Sequence, residues 1–378
     1  MARTINVRAG RGRRDFTQSL ADIVGLSDTE TEVVTPTSSF STWTPGTAKP
    51  VGFYDAGITN VGPRFTPTTI ITGDFVPAAG VTYSGLDIYG RVIPGSGSTN
   101  AILEDCIIRG AVWGQGPTWV AGTPANDAAF NPNYNGRGVT LRWCRIDASG
   151  RENVWVDGAR GNNFTMQYCE VYRTVDGFGA VSGSYYGPTL IENCRFHNGY
   201  YTAWLNSATN TPYANFPTSP SDRRCHNDAV QIQGFSGYTI RGNYFGGGRA
   251  VGVTSSMKQA NRDYLNPLHQ PVIAAVDAAD DYGNSCFQIQ NNIGASAFTG
   301  ALIENNWLAG GDAVVQINGN NAWGDTQSGV TVRNNRFIRQ SVFGASNGFA
   351  IYKSVNCTAV TTGNVWDDDG TAVPINTF

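Results

Sequence analysis

The chain has 378 residues, of which 15% are charged, with 46 glycines, 17 prolines and 3 methionines, a turn-rich β profile that argues against a helical protein. Its net charge of −3 is uneven, because residues 1–14 carry Arg3, Arg8, Arg11, Arg13 and Arg14 and no acid, leaving the remainder acidic. No apolar run is long enough to span a bilayer, and "MARTINVRAGRGRRDF" lacks the apolar segment of a secretory signal, so membrane insertion is disfavoured and synthesis in the cytoplasm expected.

The arginine-rich arm is followed by "DFTQSLADIVGLSD", in which Phe16, Leu20, Ile23 and Val24 fall on one helical face. Residues 1–30 therefore read as a basic arm and an amphipathic docking helix. The arm suits an acidic protein socket better than nucleic acid, since no basic residue lies between Arg14 and Lys49. Residues 31–80, rich in Thr and Pro, read as a linker and cap that covers the open end of a repetitive body.

From residue 81 to 378 a short pattern recurs: "AILEDC" ending at Cys106, "TLRWC" at Cys144, "TMQYC" at Cys169 and "LIENC" at Cys194. It continues with "TIRGN" at Asn243, "LIENN" at Asn306, "TVRNN" at Asn335 and "VTTGN" at Asn364. Each is an alternating strand ending in Cys or Asn, and the shortest repeat, 25 residues, suits one coil of three strands and three turns. Such coils bury their apolar faces only by stacking, which brings equivalent residues within about 4.8 Å of one another. Cysteine then serves as a small apolar filler, and stacked Asn amides hydrogen-bond along the file. The 7 cysteines show neither a disulfide framework nor a CxxC metal spacing.

The coils "LIENCRF", "LIENNWL" and "TVRNNRF" resemble the right-handed parallel β-helix of the pectate-lyase-like superfamily. The resemblance implies an all-β, single-stranded, three-sheet solenoid. It does not fix chemistry, because that fold hosts lyases, glycosidases, esterases and adhesins.

Placing the second strand of each coil at Glu152, Asp176, Asp228, Ser285, Asp312 and Asn347 puts nearly all length variation at one corner. Residues 199–225 and 247–284 are its long insertions. The first contains Tyr200, Tyr201 and Trp204, suited to stacking on sugar rings or to a small satellite core; the second contains Lys258 and Arg262. The stretch "CHNDAVQIQGFSG" returns the first insertion to the coil at Asp228. Stacking places Asp176 about 5 Å from Asp228, the separation of a retaining carboxylate pair, and Asp312 about 9.6 Å away, near the inverting range. The candidate catalytic set is thus Asp228 and Asp176, with His226 tuning the proton and Arg223 countering developing charge. Candidate substrate contacts are Arg224, Tyr200, Tyr201, Trp204, Arg262, Lys258 and Asp312. The competing reading is that an acid at each strand start caps a bend. No metal or cofactor is called for: the run Asp367–Asp369 reads as a solvated terminal turn, and calcium is not indicated.

A glycan-handling fold without an export signal and with an N-terminal docking arm resembles phage tailspike and minor tail proteins. That resemblance implies a virion component assembled in the host cytoplasm. It would bind a host surface polysaccharide or glycolipid, and other tail proteins through residues 1–30. The arginine-for-lysine bias suits a GC-rich genome such as that of an actinobacterial phage. The chain closes at Phe378 directly after the last coil, without the C-terminal trimerisation domain of many tailspikes, which leaves a homotrimer open. Depolymerisation of the glycan and non-catalytic receptor binding both remain open. A cellular polysaccharide lyase or hydrolase is disfavoured by the absent signal.

Overall fold

Alternation at period two makes short strands with one buried face. In Thr189–Glu192 the side chains of Thr189 and Ile191 are buried, while Leu190 and Glu192 face outward. The strand pairs in register with Asn162–Gln167 on one side and Tyr238–Arg241 on the other, both parallel. The computed structural model describes residues 61–110, 129–130, 135–148, 157–172, 174, 176–180, 185–197, 205–206, 211–212, 228–234, 237–247, 285–290, 300–310, 313–318, 329–337, 350–355, 357–367 and 369–377.

Among these residues there is no helix; the strands form three long parallel sheets and one small antiparallel pair, Leu205–Asn206 with Thr211–Pro212. Sheet A has ten strands, from Thr69–Thr72 to Val365–Trp366; sheet B has seven, from Ala159–Arg160 to Ile375–Thr377; sheet C has nine, from Thr82–Ser84 to Val360–Thr362. The chain visits A, B and C in turn and then steps up one rung, which makes the body a parallel β-helix, as the repeat predicted. The segment expected to form the arm and docking helix, 1–30, lies outside the described residues. The stack itself starts ahead of residue 81, because Thr69–Thr72 already pairs with Leu86–Tyr89.

The interior is a file of rings: Phe130, Phe164, Phe178 and Tyr238 pack in succession at centroid spacings of 5.1, 5.7 and 5.8 Å. Each fully buried ring contributes roughly 1.5–3 kcal/mol. Cys144, Cys169 and Cys194 do stand in a file, since the residues that come after them, Arg145, Glu170 and Arg195, are register partners. Further along, the file becomes an Asn ladder. Asn243, Asn306 and Asn335 each donate a side-chain N–H to the next Asn Oδ1 at 3.0 Å.

Between sheets C and A the chain turns through a left-handed residue on successive rungs, including Asp105, Trp143, Tyr168, Asn193, Asn305 and Asn334, with φ between 52 and 55°. Asn and Asp tolerate this conformation; for Trp and Tyr it costs roughly 1–2 kcal/mol each. The strain is offset by packing. Trp143 and Tyr168 stack with centroids 4.5 Å apart, and the Arg64 guanidinium sits 5.4 Å from the Trp143 ring. Arg64 belongs to a strap that runs along this corner. The Gly62 N–H donates to Tyr168 O at 2.9 Å, Arg64 grips Asp105 at 2.7 Å and also pairs with Glu104, and Phe65 lies against Gly85. Residues 62–65 thus cross successive rungs on the flank of the stack. Their partners line the side of the solenoid, where a guanidinium finds carboxylates and rings; residues 31–60 of the expected cap lie outside the described residues.

Candidate functional site

Asp228 opens the sheet B strand Asp228–Ile232. The pairing of Phe178 with Val230 sets Asp176 beside Asp228, and that of Phe178 with Ala159 sets Asp157 beside Asp176. Three carboxylates therefore stand one rung apart at the corner between sheets A and B. All are buried, at 2% exposure for Asp157, 5% for Asp176 and 1% for Asp228. Close packing holds the corner: a Cβ on Gly177 would lie 2.5 Å from the Phe196 ring and 2.6 Å from Ala229 O.

Each carboxylate receives the backbone N–H of the next rung. The Asp176 N–H donates to Asp157. The Asp228 N–H donates to Asp176 Oδ1 at 2.8 Å, and Ser285 donates to Asp228 Oδ1 from its N–H at 2.8 Å and its hydroxyl at 2.6 Å. In the Asn ladder the N–H of the earlier rung donates forward, as from Cys194 to Asn243 Oδ1 at 2.7 Å. The Asp file runs the same device backward.

Arg160 forms an ion pair with Asp157, and Gly179 leaves room for it: a Cβ there would lie 3.3 Å from both Arg160 Cγ and Asp157 Oδ2. Burial pushes the Asp157 carboxyl upward, with Arg160 opposing the rise. Burial also drives Asp176 well above the usual carboxylate range, reinforced by the charges of Asp157 and Asp228 on either side.

Of the residues singled out from sequence, the structure brings Asp176 and Asp228 together. His226, Arg223, Arg224, Tyr200, Tyr201, Trp204, Arg262, Lys258 and Asp312 lie outside the described residues. The rung register aligns Ala313, rather than Asp312, with Ser285, so the file of strand starts is offset by one residue from the expected one. Sequence reasoning placed Glu152 in this column and missed Asp157. The available signal was the tripeptide "VDG", which occurs at 156–158 and again at 175–177. The expected solvated turn at Asp367–Asp369 is half corrected: Asp367 is buried and accepts the Trp307 indole N–H at 3.1 Å, whereas Asp369 is exposed and receives Thr371. Among the described residues no group of three His, Cys, Asp or Glu is placed to hold a metal ion.

Chemically, the carboxylate pair is adjacent but enclosed, and its oxygens serve backbone donors. A sugar would reach it only after the corner opened. The outward face of sheet B is different. Its core-facing residues, Phe178, Val230, Phe287 and Val315, alternate with a polar file of Arg160, Gly179, Gln231, Gln288, Gln316 and Tyr352. Gln231 donates to Gln288 Oε1 at 3.0 Å. Beyond the ends of these strands, Tyr185 and Tyr186 are 52% and 47% exposed. Both are held firmly: the Tyr185 ring rests on Gly237, where a Cβ would come within 2.9 Å, and the Tyr186 N–H donates to the buried Asn162 at 2.9 Å. Sequence reasoning passed over this pair because it lies outside the long insertions.

No protein-family model, curated protein or solved structure matches the chain.

Proposed function

We propose that the chain is a phage tail component of the tailspike or minor tail type, whose β-helix presents a binding face for a host surface glycan. The observation that carries this reading is the pair of fixed, exposed rings Tyr185 and Tyr186, together with an outward amide file in which Gln231 and Gln316 are half-buried and Gln288 is covered. Side-chain amides offer donors and acceptors to hydroxyl-rich ligands, and phenol rings offer flat apolar faces with a polar edge. By sequence position, both long stretches between sheet A and sheet B, 198–227 and 248–284, lead into strands of this same face. That placement suits a binding surface on a rigid scaffold. The non-catalytic form of the reading is favoured over depolymerisation, because Asp176 and Asp228 are buried and serve the backbone.

The test is binding to a panel of purified envelope polysaccharides, with reducing-end release followed in parallel. The wild type is expected to bind without releasing reducing ends, and Tyr185→Ala combined with Tyr186→Ala to weaken binding about tenfold, the scale of losing aromatic stacking. Release by the wild type that is lost in Asp228→Asn would restore the catalytic reading. Absence of binding across the panel would remove the glycan reading.

A further inference from the structure

We infer that the Asp157–Asp176–Asp228 file is a proton lock: Asp176 carries a proton in the closed corner, and losing it frees the strand starts at Asp228 and Ser285.

Three carboxylates stand on consecutive rungs, each buried, and like charges this close in a water-poor corner cannot all be ionised without large cost. Asp176 is the middle one. From the rung before, it faces Asp157 and Arg160; from the rung after, Asp228. The next rung presents Ser285, which is neutral, and the residues packed behind the corner, Val171 and Phe196, are apolar. Arg160 is a cation that Asp157 and Asp176 share, and its guanidinium is engaged by Asp157. Asp157 with Arg160 is thus a neutral pair. Asp228 Oδ1 accepts two donors from Ser285. The proton belongs on Asp176, whose Oδ1 is taken by the Asp228 N–H and whose neighbours include two acids.

The consequence is mechanical. The N–H groups of Asp228 and Ser285 each fasten the start of a sheet B strand to the rung before it. When the corner opens, Asp176 meets water and releases its proton above its ordinary value near 3.9. Its closed-state affinity for the proton is the higher one, so opening is coupled to proton release. The opening constant is small at acid pH and rises tenfold per pH unit, from about 3.9 up to the raised value of the closed state, and then levels off. The strand starts at Asp228 and Ser285 are therefore held most tightly in acid.

Asp176→Asn keeps an acceptor for the Asp228 N–H and removes the ionisation. Three readouts test the lock. In the wild type at neutral pH, infrared spectra are expected to show a protonated-carboxyl C=O stretch that the variant lacks. Thermal midpoints of variant and wild type are expected to coincide near pH 4 and diverge as pH rises to 8, with the variant the more stable. Amide exchange at Asp228 and Ser285, corrected for intrinsic rate, is expected to accelerate with pH in the wild type relative to the Asn243 and Asn306 amides. Parallel stability profiles, or corner amides that keep step with those of the Asn ladder, would overturn the proposal. The wild-type exchange comparison stands even where the variant fails to fold.

Discussion

Asn306 shows how much one side chain does in this molecule. Its amide donates to Ile240 O and to Asn335 Oδ1, both at 3.0 Å, and its oxygen accepts from the Asn243 backbone at 2.9 Å and side chain at 3.0 Å. Asn306→Ala leaves several buried groups unpaired and is expected to cost about 2–4 kcal/mol, measurable by urea denaturation. Asn306→Cys is expected to cost less, since the chain itself uses Cys on earlier rungs, where the Cys169 N–H points to Cys194 Sγ at 3.4 Å. Those thiols are also inert: burial pushes Cys106, Cys144 and Cys169 well above the ordinary thiol range. Maleimide at pH 8 should leave them unlabelled in the native protein and label them fully in denaturant, as read by mass spectrometry. Native labelling would mean that the rungs breathe.

At the scale of elements, the corners differ in how they are stabilised. The strap corner depends on Arg64, whose partner Asp105 is 1% exposed on its side chain. Arg64→Ala leaves that carboxylate buried beside Glu104 with its bidentate partner gone, and is expected to cost about 2–3 kcal/mol in thermal unfolding. Arg64→Lys should recover less than half, because an ammonium cannot match the fork or lie flat on Trp143. The Asp corner depends on space: Gly179→Leu places side-chain atoms where Arg160 lies over Asp157. Displacing Arg160 leaves Asp157 without its cation, so the loss of stability should grow with pH as that carboxylate ionises. A pH-independent loss would point to crowding alone.

Across the whole molecule, the stacked architecture was legible in sequence because it repeats. Cys106, Cys144, Cys169 and Cys194 lead into Asn243, Asn306, Asn335 and Asn364 at one column, and parallel pairing fixes that column once the period is known. The neighbouring placement of Asp176 and Asp228 came from the same register. What did not repeat was not legible. Asp157 escaped because its coil was counted from Glu152. Asp312 was set one residue out of line because spacing alone does not show where a strand begins. The strap joins Arg64 to Asp105, 41 residues away, and Asp367 meets Trp307 across 60 residues. Neither contact leaves a periodic trace, and neither alters composition.

The strap also changes how the solenoid comes apart. In a stack of coils each layer ordinarily leans only on the one before and the one after, so melting creeps in from a free end. A strip fastened to Tyr168, Trp143, Asp105 and Gly85 together makes those layers share one fate. Fraying of these layers then requires the whole bound group to let go at once, and toward the other end of the stack the Trp307–Asp367 bond ties layers two rungs apart in the same way.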